Sequence, residues 1–434
     1  MPYRAIYGWV FVMNSKPQLS SAPPRGMRDF YPEDMILRNR VFDAWKTAAR
    51  QFGFQEYDAC VVESLDVLIR KGGEEIVRQI YAFQDKSGRD LALRPEMTPT
   101  LARMIAARQN ALSFPVKWFA IAQCFRYERM TRGRKREHYQ WNLDIIGEPD
   151  VSAEAEVIGA AVHALGLLGL TPQDYQVRFS SRALLADLLE ALHIPAERHA
   201  AVFLALDKLG KLDEPAIRDM LADAGLDAHV RDRLFEIMTL KTLPDTLAIL
   251  DRKTPAYTAA ERLLDLLANG PAAEAVAFDI SVVRGLSYYT GIVFEAFDRA
   301  GQFRAIFGGG RYDNLLADTG GRPASGVGLG FGDVVVSEIL ADKRPSAADP
   351  SGPDLHIGFM DEAQCACAMR IAAAHRADGA TVDLALHPEK AKAFFSRAQK
   401  NAALEALYIG PDDLAADTAR VKNMRTREER ILPL

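Results

Sequence analysis

Apolar and polar positions alternate at both ends of the stretch 124–147, CFRYERMTRGRKREHYQWNLDIIG, and give way over 128–137 to a charged run with one glycine. A period of two marks a half-buried strand, and a glycine in a polar run marks a turn. The stretch therefore predicts a long hairpin, with strands over 116–125 and 140–146 and a loop between them. Upstream, Pro32 and the acidic residues after it start an amphipathic helix over 35–52 that Gly53 stops. A strand over 54–63, a short hairpin around 86–89 and a helix over 95–107 lead into the long hairpin, and a helix over 152–168 and a strand over 175–181 follow it. From 182 to about 270 the pattern is helical alone, broken at Pro195, Gly210, Gly225, Pro244 and Pro255, and reads as an insertion between two parts of one sheet domain. Strands resume at 276–280 and 292–297, before two glycine-rich segments, 307–312 and 325–333. The polar segment 341–353 carries three prolines and reads as a linker. Beyond it, strand, helix, strand, helix and strand alternate over 355–409, the pattern of a small α/β domain. Residues 15–24 are polar and proline-rich, and 1–24 read as a flexible extension.

Composition narrows the classes. The chain has 434 residues, of which 49% are hydrophobic and 26% charged, with a formal net charge of -5. That is an ordinary globular balance, so contact with a nucleic acid must come from a local basic patch. The hairpin supplies one: Arg126, Arg129, Arg132, Arg134, Lys135 and Arg136 place six cations in eleven residues. No run reaches the ~18 apolar residues of a membrane span, and no membrane association is expected. Of Cys60, Cys124, Cys365 and Cys367 only the last two are close, as C-x-C. That spacing predicts neither a disulfide framework nor a metal site, and fits a reducing cytoplasmic compartment.

Four further segments carry chemistry. In Arg94-Pro95-Glu96-Met97-Thr98 a carboxylate and a hydroxyl follow a strand, where a turn aims both into a pocket able to bind an ammonium group; a solvated helix start is the plainer reading. Over 284–291, RGLSYYTG, Arg284 offers a bidentate cation and a tyrosine offers a hydroxyl, or the segment is a turn with Arg284 exposed and both tyrosines in the core. Over 307–313, FGGGRYD, three glycines allow close backbone approach to a flat ligand, although no Gly-Lys-Ser/Thr follows. Over 326–333, GVGLGFGD, glycine at alternate positions clears one face of a strand, where an adenine has room.

Together these pieces give the sequence a family likeness. RGMRDFYPED (25–34), LRPEMT (93–98), FRYERMTRGRKREHYQ (125–140), RGLSYYTG (284–291) and GGGRYDNL (308–315) resemble the histidyl-tRNA synthetases, which are class II aminoacyl-tRNA synthetases. The resemblance covers roughly 25–340 strongly and the C-terminal part more loosely. It implies an α+β fold: an antiparallel sheet flanked by helices over 25–340, the helical insertion at about 182–270, and a C-terminal α/β anticodon-binding domain over 354–434. It implies ATP-dependent ligation of L-histidine to tRNA(His) through a histidyl-adenylate, with Mg²⁺ bound to ATP, by a homodimer.

The resemblance also implies roles. Arg126 holds the α-phosphate and the histidine carboxylate, and Arg284 reaches the α-phosphate from the other side. Arg134 reaches the terminal phosphates, and Arg311, Gly328 and Gly330 complete the ATP site. Glu96 receives the ammonium, with Thr98 and Gln140 beside it. Asp144, four residues beyond Gln140 and so on the same strand face, takes one imidazole nitrogen, Tyr289 takes the other, and Tyr312 lines the pocket. Arg129, Arg132 and Arg136 meet the acceptor end of the tRNA. Three departures stand out. Class II enzymes usually close their third motif with Gly-x-Glu-Arg, but here Asp333 and Val334 follow Gly332, leaving Arg311 or Arg322 as substitutes. The first motif's proline is absent next to Cys60, and Ser287 stands where Asp is common. The competing expectation is a catalytically silent histidine-binding paralogue, the regulatory subunit of ATP phosphoribosyltransferase.

Overall fold

The computed structural model describes residues 20–69, 77–284, 288–343 and 352–433. Ser287 and most of the N-terminal extension lie outside them. The chain divides into two compact units, Met1–Leu340 and Ala341–Leu434.

In the first unit, Pro32 and the Asp34 carboxylate, which accepts the Tyr31 N–H at 3.0 Å, open helix α1 (Pro32–Gln51). Gly53, at φ +74°, closes it. Strand β1 (Gln55–Glu56), strand β2 (Val62–Ser64) and helix α2 (Leu65–Ile69) follow, then β3 (Tyr81–Gln84) and β4 (Asp90–Leu93). The single strand expected over 54–63 is thus two short ones, and β2, β4 and β3 form their own antiparallel sheet. Helix α3 (Thr98–Arg108) leads to the long hairpin, β5 (Val116–Phe125) and β6 (Glu137–Ile146), paired from Val116↔Ile146 to Phe125↔Glu137.

Helix α4 (Ser152–Leu167) and strand β7 (Tyr175–Ser181) precede the insertion. Its helices are α5 (Arg182–Ala191), α6 (Ala196–Leu206), α7 (Glu214–Asp223), α8 (Ala228–Ile237), α9 (Leu247–Leu250) and α10 (Pro255–Ala268). Ser181, Asp213, Asp227 and Thr254 cap four of them by accepting backbone N–H groups, so the breaks in the periodicity are also starts. The sheet resumes with β8 (Val276–Phe278), β9 (Ile292–Asp298) and β10 (Phe307–Arg311); after the short α11 (Leu315–Asp318) come β11 (Gly326–Gly332) and α12 (Asp333–Lys343).

Eight strands form the main sheet in the order β1-β5-β6-β11-β10-β9-β7-β8. It is mixed rather than purely antiparallel, because β1 joins β5 and β8 joins β7 in parallel at the two edges. One face carries the core: Trp141, Leu143 and Ile145 on β6 pack with Val41 and Trp45 of α1 and Val157 of α4. Trp45 stacks on Trp141 with ring centroids 6.1 Å apart. The period of two leaves the alternate β6 residues on the other face, which forms the floor of a cleft.

The second unit begins with β12 (Leu355–Phe359), α13 (Glu362–Ala377), β13 (Val382–Leu384), α14 (Ala391–Lys400) and β14 (Glu405–Ile409), the alternation expected. Helix α15 (Pro411–Ala415), β15 (Thr418–Asn423) and β16 (Glu429–Pro433) complete it, β15 pairing antiparallel with β14 and β16 antiparallel with β15. Those two strands escape a pattern reading. On β15 only Ala419 and Val421 are buried apolar residues, and no residue of β16 is buried.

Candidate active site

The cleft has a volume of about 780 Å³. Its floor comes from register. Strand β6 directs His138, Gln140 and Asn142 into it, and Gly328, Gly330 and Gly332 of β11 pair with Asp144, Asn142 and Gln140. The glycines are needed there. A Cβ on Gly328 would lie 2.0 Å from Asp144 Oδ1, and one on Gly330 would lie 2.6 Å from Gln140 Nε2. On β10 a Cβ on Gly308 would meet Arg284 Nη1 at 1.5 Å. The face expected to be cleared for an adenine is therefore cleared first for the chain's own polar side chains. Open space remains at Gly332, where a Cβ would meet nothing within 4 Å.

Two buried carboxylates lie at one end: Glu96 lines the cleft, and Asp144 adjoins Tyr312 and Gly328, which line it. Asp144 is 1% exposed; its Oδ1 accepts the Tyr312 hydroxyl at 2.5 Å, and its buried Oδ2 has no partner among the described residues. Glu96 is 4% exposed; its Oε2 accepts the Tyr288 hydroxyl at 2.9 Å, and its Oε1 is likewise buried and unpartnered. Burial pushes the Asp144 carboxyl up to about 7, against the pull of the Tyr312 hydrogen bond. Burial also raises Glu96, with Arg126 the largest opposing influence. Thr98, the first residue of α3, and Gln140, whose Nε2 donates to Asn142 Oδ1 at 3.1 Å, line the same end. A buried acceptor without a donor is costly, about 1–3 kcal/mol, so this end is shaped for a ligand bearing two separate N–H groups.

Cations line the cleft beside Glu96. Arg126 Nε donates to the Pro95 carbonyl at 2.9 Å, which leaves the rest of its guanidinium facing the cleft. Arg284 also lines the cleft, its Nη1 3.5 Å from Glu295 Oε1 and its Cζ 5.5 Å from the Tyr289 ring centre. Arg134 sits 2.6 Å from Glu128 Oε2 on the hairpin loop. His138 lies among these arginines and is held at about 3, by burial first and Arg126 next, so it is neutral.

The remaining candidates divide. Arg129 and Arg132 are exposed on the loop, with Arg132 Cζ 4.5 Å above the Phe303 ring. Arg136 is half-buried, its Cζ 4.0 Å over Tyr127. Tyr289 is buried and its ring abuts Gly310; the neighbouring Tyr288 is the one bonded to Glu96. Arg311 does not line the cleft. It is 7% exposed and forks onto Glu154 of α4, at 2.8 Å from Nε and 2.6 Å from Nη2, and donates to the Glu148 and Asp150 carbonyls. On β10 the period of two sets Arg311 on the face opposite Gly308 and Gly310. Arg322 is exposed and also outside the cleft. Sequence reasoning missed Tyr288, His138, Asn142 and Tyr57, whose buried hydroxyl lies near Asp144. His138 and Asn142 were within reach of it, two residues either side of Gln140.

A family model described as histidyl-tRNA synthetase matches residues 26–332. The chain belongs to the histidyl-tRNA synthetase family. It is 41% identical over 407 residues to the chloroplastic/mitochondrial histidine–tRNA ligase of Arabidopsis thaliana, covering 94% of this chain and 84% of that one. It is 40% identical over 414 residues to the histidine–tRNA ligase of Opitutus terrae, covering 94% and 95%. The crystal structure of histidyl-tRNA synthetase from Nostoc sp. PCC 7120 shares the fold, with a TM-score of 0.77 at 20% identity over 96% of this chain and 97% of that one. A Bacillus halodurans structure described as an ATP phosphoribosyltransferase regulatory subunit/histidyl-tRNA synthetase also superposes, with a TM-score of 0.75 at 23% identity over 91% and 100%.

Proposed function

We propose that the protein is a histidine–tRNA ligase, which activates L-histidine with ATP and passes it to tRNA(His). The observation that carries this reading is the pair of buried carboxylates, Asp144 and Glu96, each with one oxygen held by a tyrosine and the other unpartnered. The α-ammonium of histidine suits Glu96 Oε1, with Thr98 and Gln140 beside it. One imidazole N–H suits Asp144 Oδ2, with Tyr289 and Tyr312 completing the wall. A side chain lacking that N–H would leave a buried carboxylate unpaired, which discriminates far more strongly than shape does.

Adenylate formation needs charge neutralisation and alignment rather than acid–base help. A histidine carboxylate oxygen bonds to the α-phosphorus as the bond to pyrophosphate breaks. Arg126 and Arg284, which both line the cleft, are assigned the charge on that phosphorus, and Arg134 the departing phosphates. Gly328 and Gly330 admit the acid and amide side chains that orient the attacking group. Mg²⁺ is assigned to the ATP phosphates, which bring it in as part of the substrate. Exposed Arg129 and Arg132, and to a lesser degree half-buried Arg136, suit the acceptor end of tRNA. The regulatory-paralogue reading is weaker, since both arginines and a C-terminal unit are present.

A homodimer is proposed, supported by exposed apolar residues on neighbouring elements: Val61, Val62, Ile69 and Phe83. A cytoplasmic location is proposed, supported by cysteines that are all free. No helix among the described residues is long and apolar enough to cross a membrane. Charging of a tRNA(His) transcript with labelled histidine tests the function. Acid-precipitable label is expected with ATP and absent without it; no charging by folded protein that binds both substrates would overturn the reading.

A further inference from the structure

Where the third motif lacks its arginine, the chain buries a carboxylate instead. Asp333 opens α12 between Gly332 and Val334, both of which line the cleft, and is 2% exposed. Its Oδ1 accepts the Tyr139 N–H at 2.9 Å, which continues the β6–β11 ladder by one rung after β11 has ended. Its Oδ2 lies 2.9 Å from Nη2 of Arg28. A bare carboxylate in this place would repel the polyphosphate that the cleft is read to bind, and burying it unpaired would be costly in its own right.

Arg28 arrives from the segment that precedes α1, and several contacts hold it there. Gly26 accepts the Arg136 N–H at 3.0 Å, and a Cβ on Gly26, at φ +90°, would run into Arg136 Cγ at 2.8 Å, so this segment lies flush on the base of the hairpin. Arg28 Nη2 also donates to the Glu137 carbonyl at 3.4 Å, and its Cζ sits 4.9 Å over the Phe30 ring, which packs edge-on against Tyr139. Its Nε–H is buried and has no acceptor among the described residues, so the guanidinium is not arranged to satisfy itself. It is held between the end of β11 and the start of β6, beside cleft-lining His138.

We propose that Arg28 is a positioning residue for the nucleotide: it cancels the Asp333 charge behind the ATP end of the cleft and ties the first turn of α12 to the hairpin. The end of the third motif thus carries a neutral Arg28–Asp333 ion pair where a lone arginine is usual, its cation drawn from the segment before α1. Arg311 is committed instead to Glu154. This inference rests on reading the cleft as a site for ATP and histidine.

The test is histidine-dependent exchange of pyrophosphate into ATP by the full chain, with both Michaelis constants measured. Arg28→Gln leaves Asp333 unpaired and is expected to raise the ATP KM roughly tenfold, about 1.4 kcal/mol, while the histidine KM stays within about twofold. Arg28→Gln with Asp333→Asn removes both charges and is expected to bring the ATP KM back to within about threefold of wild type. The double variant also serves if Arg28→Gln alone folds poorly, since replacing both partners of a buried pair is tolerated better than replacing one. An unchanged ATP KM in Arg28→Gln, an equal rise in both constants, or a double variant with the ATP KM still raised tenfold would each overturn the proposal. Wild-type protein without any exchange would instead overturn the underlying reading of the cleft.

Discussion

Asp144 shows how function and stability oppose each other at a single residue. The proposed contact with an imidazole N–H uses the ionised carboxylate, yet burial raises it from the ordinary carboxylate range to about 7. Between about pH 4 and 7 the folded chain holds a proton there that the unfolded chain has released, so this residue's contribution to stability falls as the pH rises through that window. Asp144→Asn is therefore expected to raise the Tm of the ligand-free protein at about pH 8 and to change it little near pH 4. Calorimetry at the two pH values checks this, and an equal shift at both would contradict it. The same substitution removes a charge-assisted hydrogen bond of roughly 1.5–3 kcal/mol, so the histidine KM should rise about 10- to 100-fold while the ATP KM holds. An unaltered histidine KM would remove Asp144 from the imidazole site. Asp144 and Gln140 were legible in the sequence because they sit on a strand, where a period of two assigns faces. Tyr288 was not, since in the loop before β9 no periodicity says which of two adjacent tyrosines reaches Glu96.

At the scale of elements, the same periodicity explains where a motif misleads. GGGRYD reads as one ligand-facing unit, but of its residues Gly308 and Tyr312 line the cleft and Arg311 does not. Arg311 turns the other way and bolts β10 to α4 through Glu154, which is 0% exposed. Breaking a buried pair by removing one partner is expected to cost roughly 3–5 kcal/mol. Glu154→Ala should therefore lower the denaturant midpoint markedly and leave the ATP KM of the remaining folded protein near wild type. A variant of full stability with a raised ATP KM would return Arg311 to the nucleotide. Glycines misled in a related way: Gly328 and Gly330 signal a close approach, but a sequence does not name the approaching group, and here it is Asp144 and Gln140. Helix starts were easier, because caps and prolines act locally. The two-stranded extension of the second unit was not legible, because its strands bury too few apolar residues to show a period.

Across the whole molecule, the run of helices after β7 and the strand–helix alternation of the second unit were readable from switches in periodicity, and the family, with the α+β class it implies, from motifs spread over 25–315. Sheet order was not readable. It takes the fold to bring β6, β10 and β11 side by side, so that residues 96, 126, 140, 284 and 312 line one cleft with Asp144 bonded to Tyr312, and to carry Arg28 to Asp333. The central claim is that this cleft activates histidine with ATP. Its most direct measurement is histidine-dependent exchange of labelled pyrophosphate into ATP. Exchange is expected to saturate with histidine, to fail with other amino acids, and to be abolished in a folded Arg284→Ala variant. Histidine binding at normal affinity without exchange in the wild-type protein would contradict it.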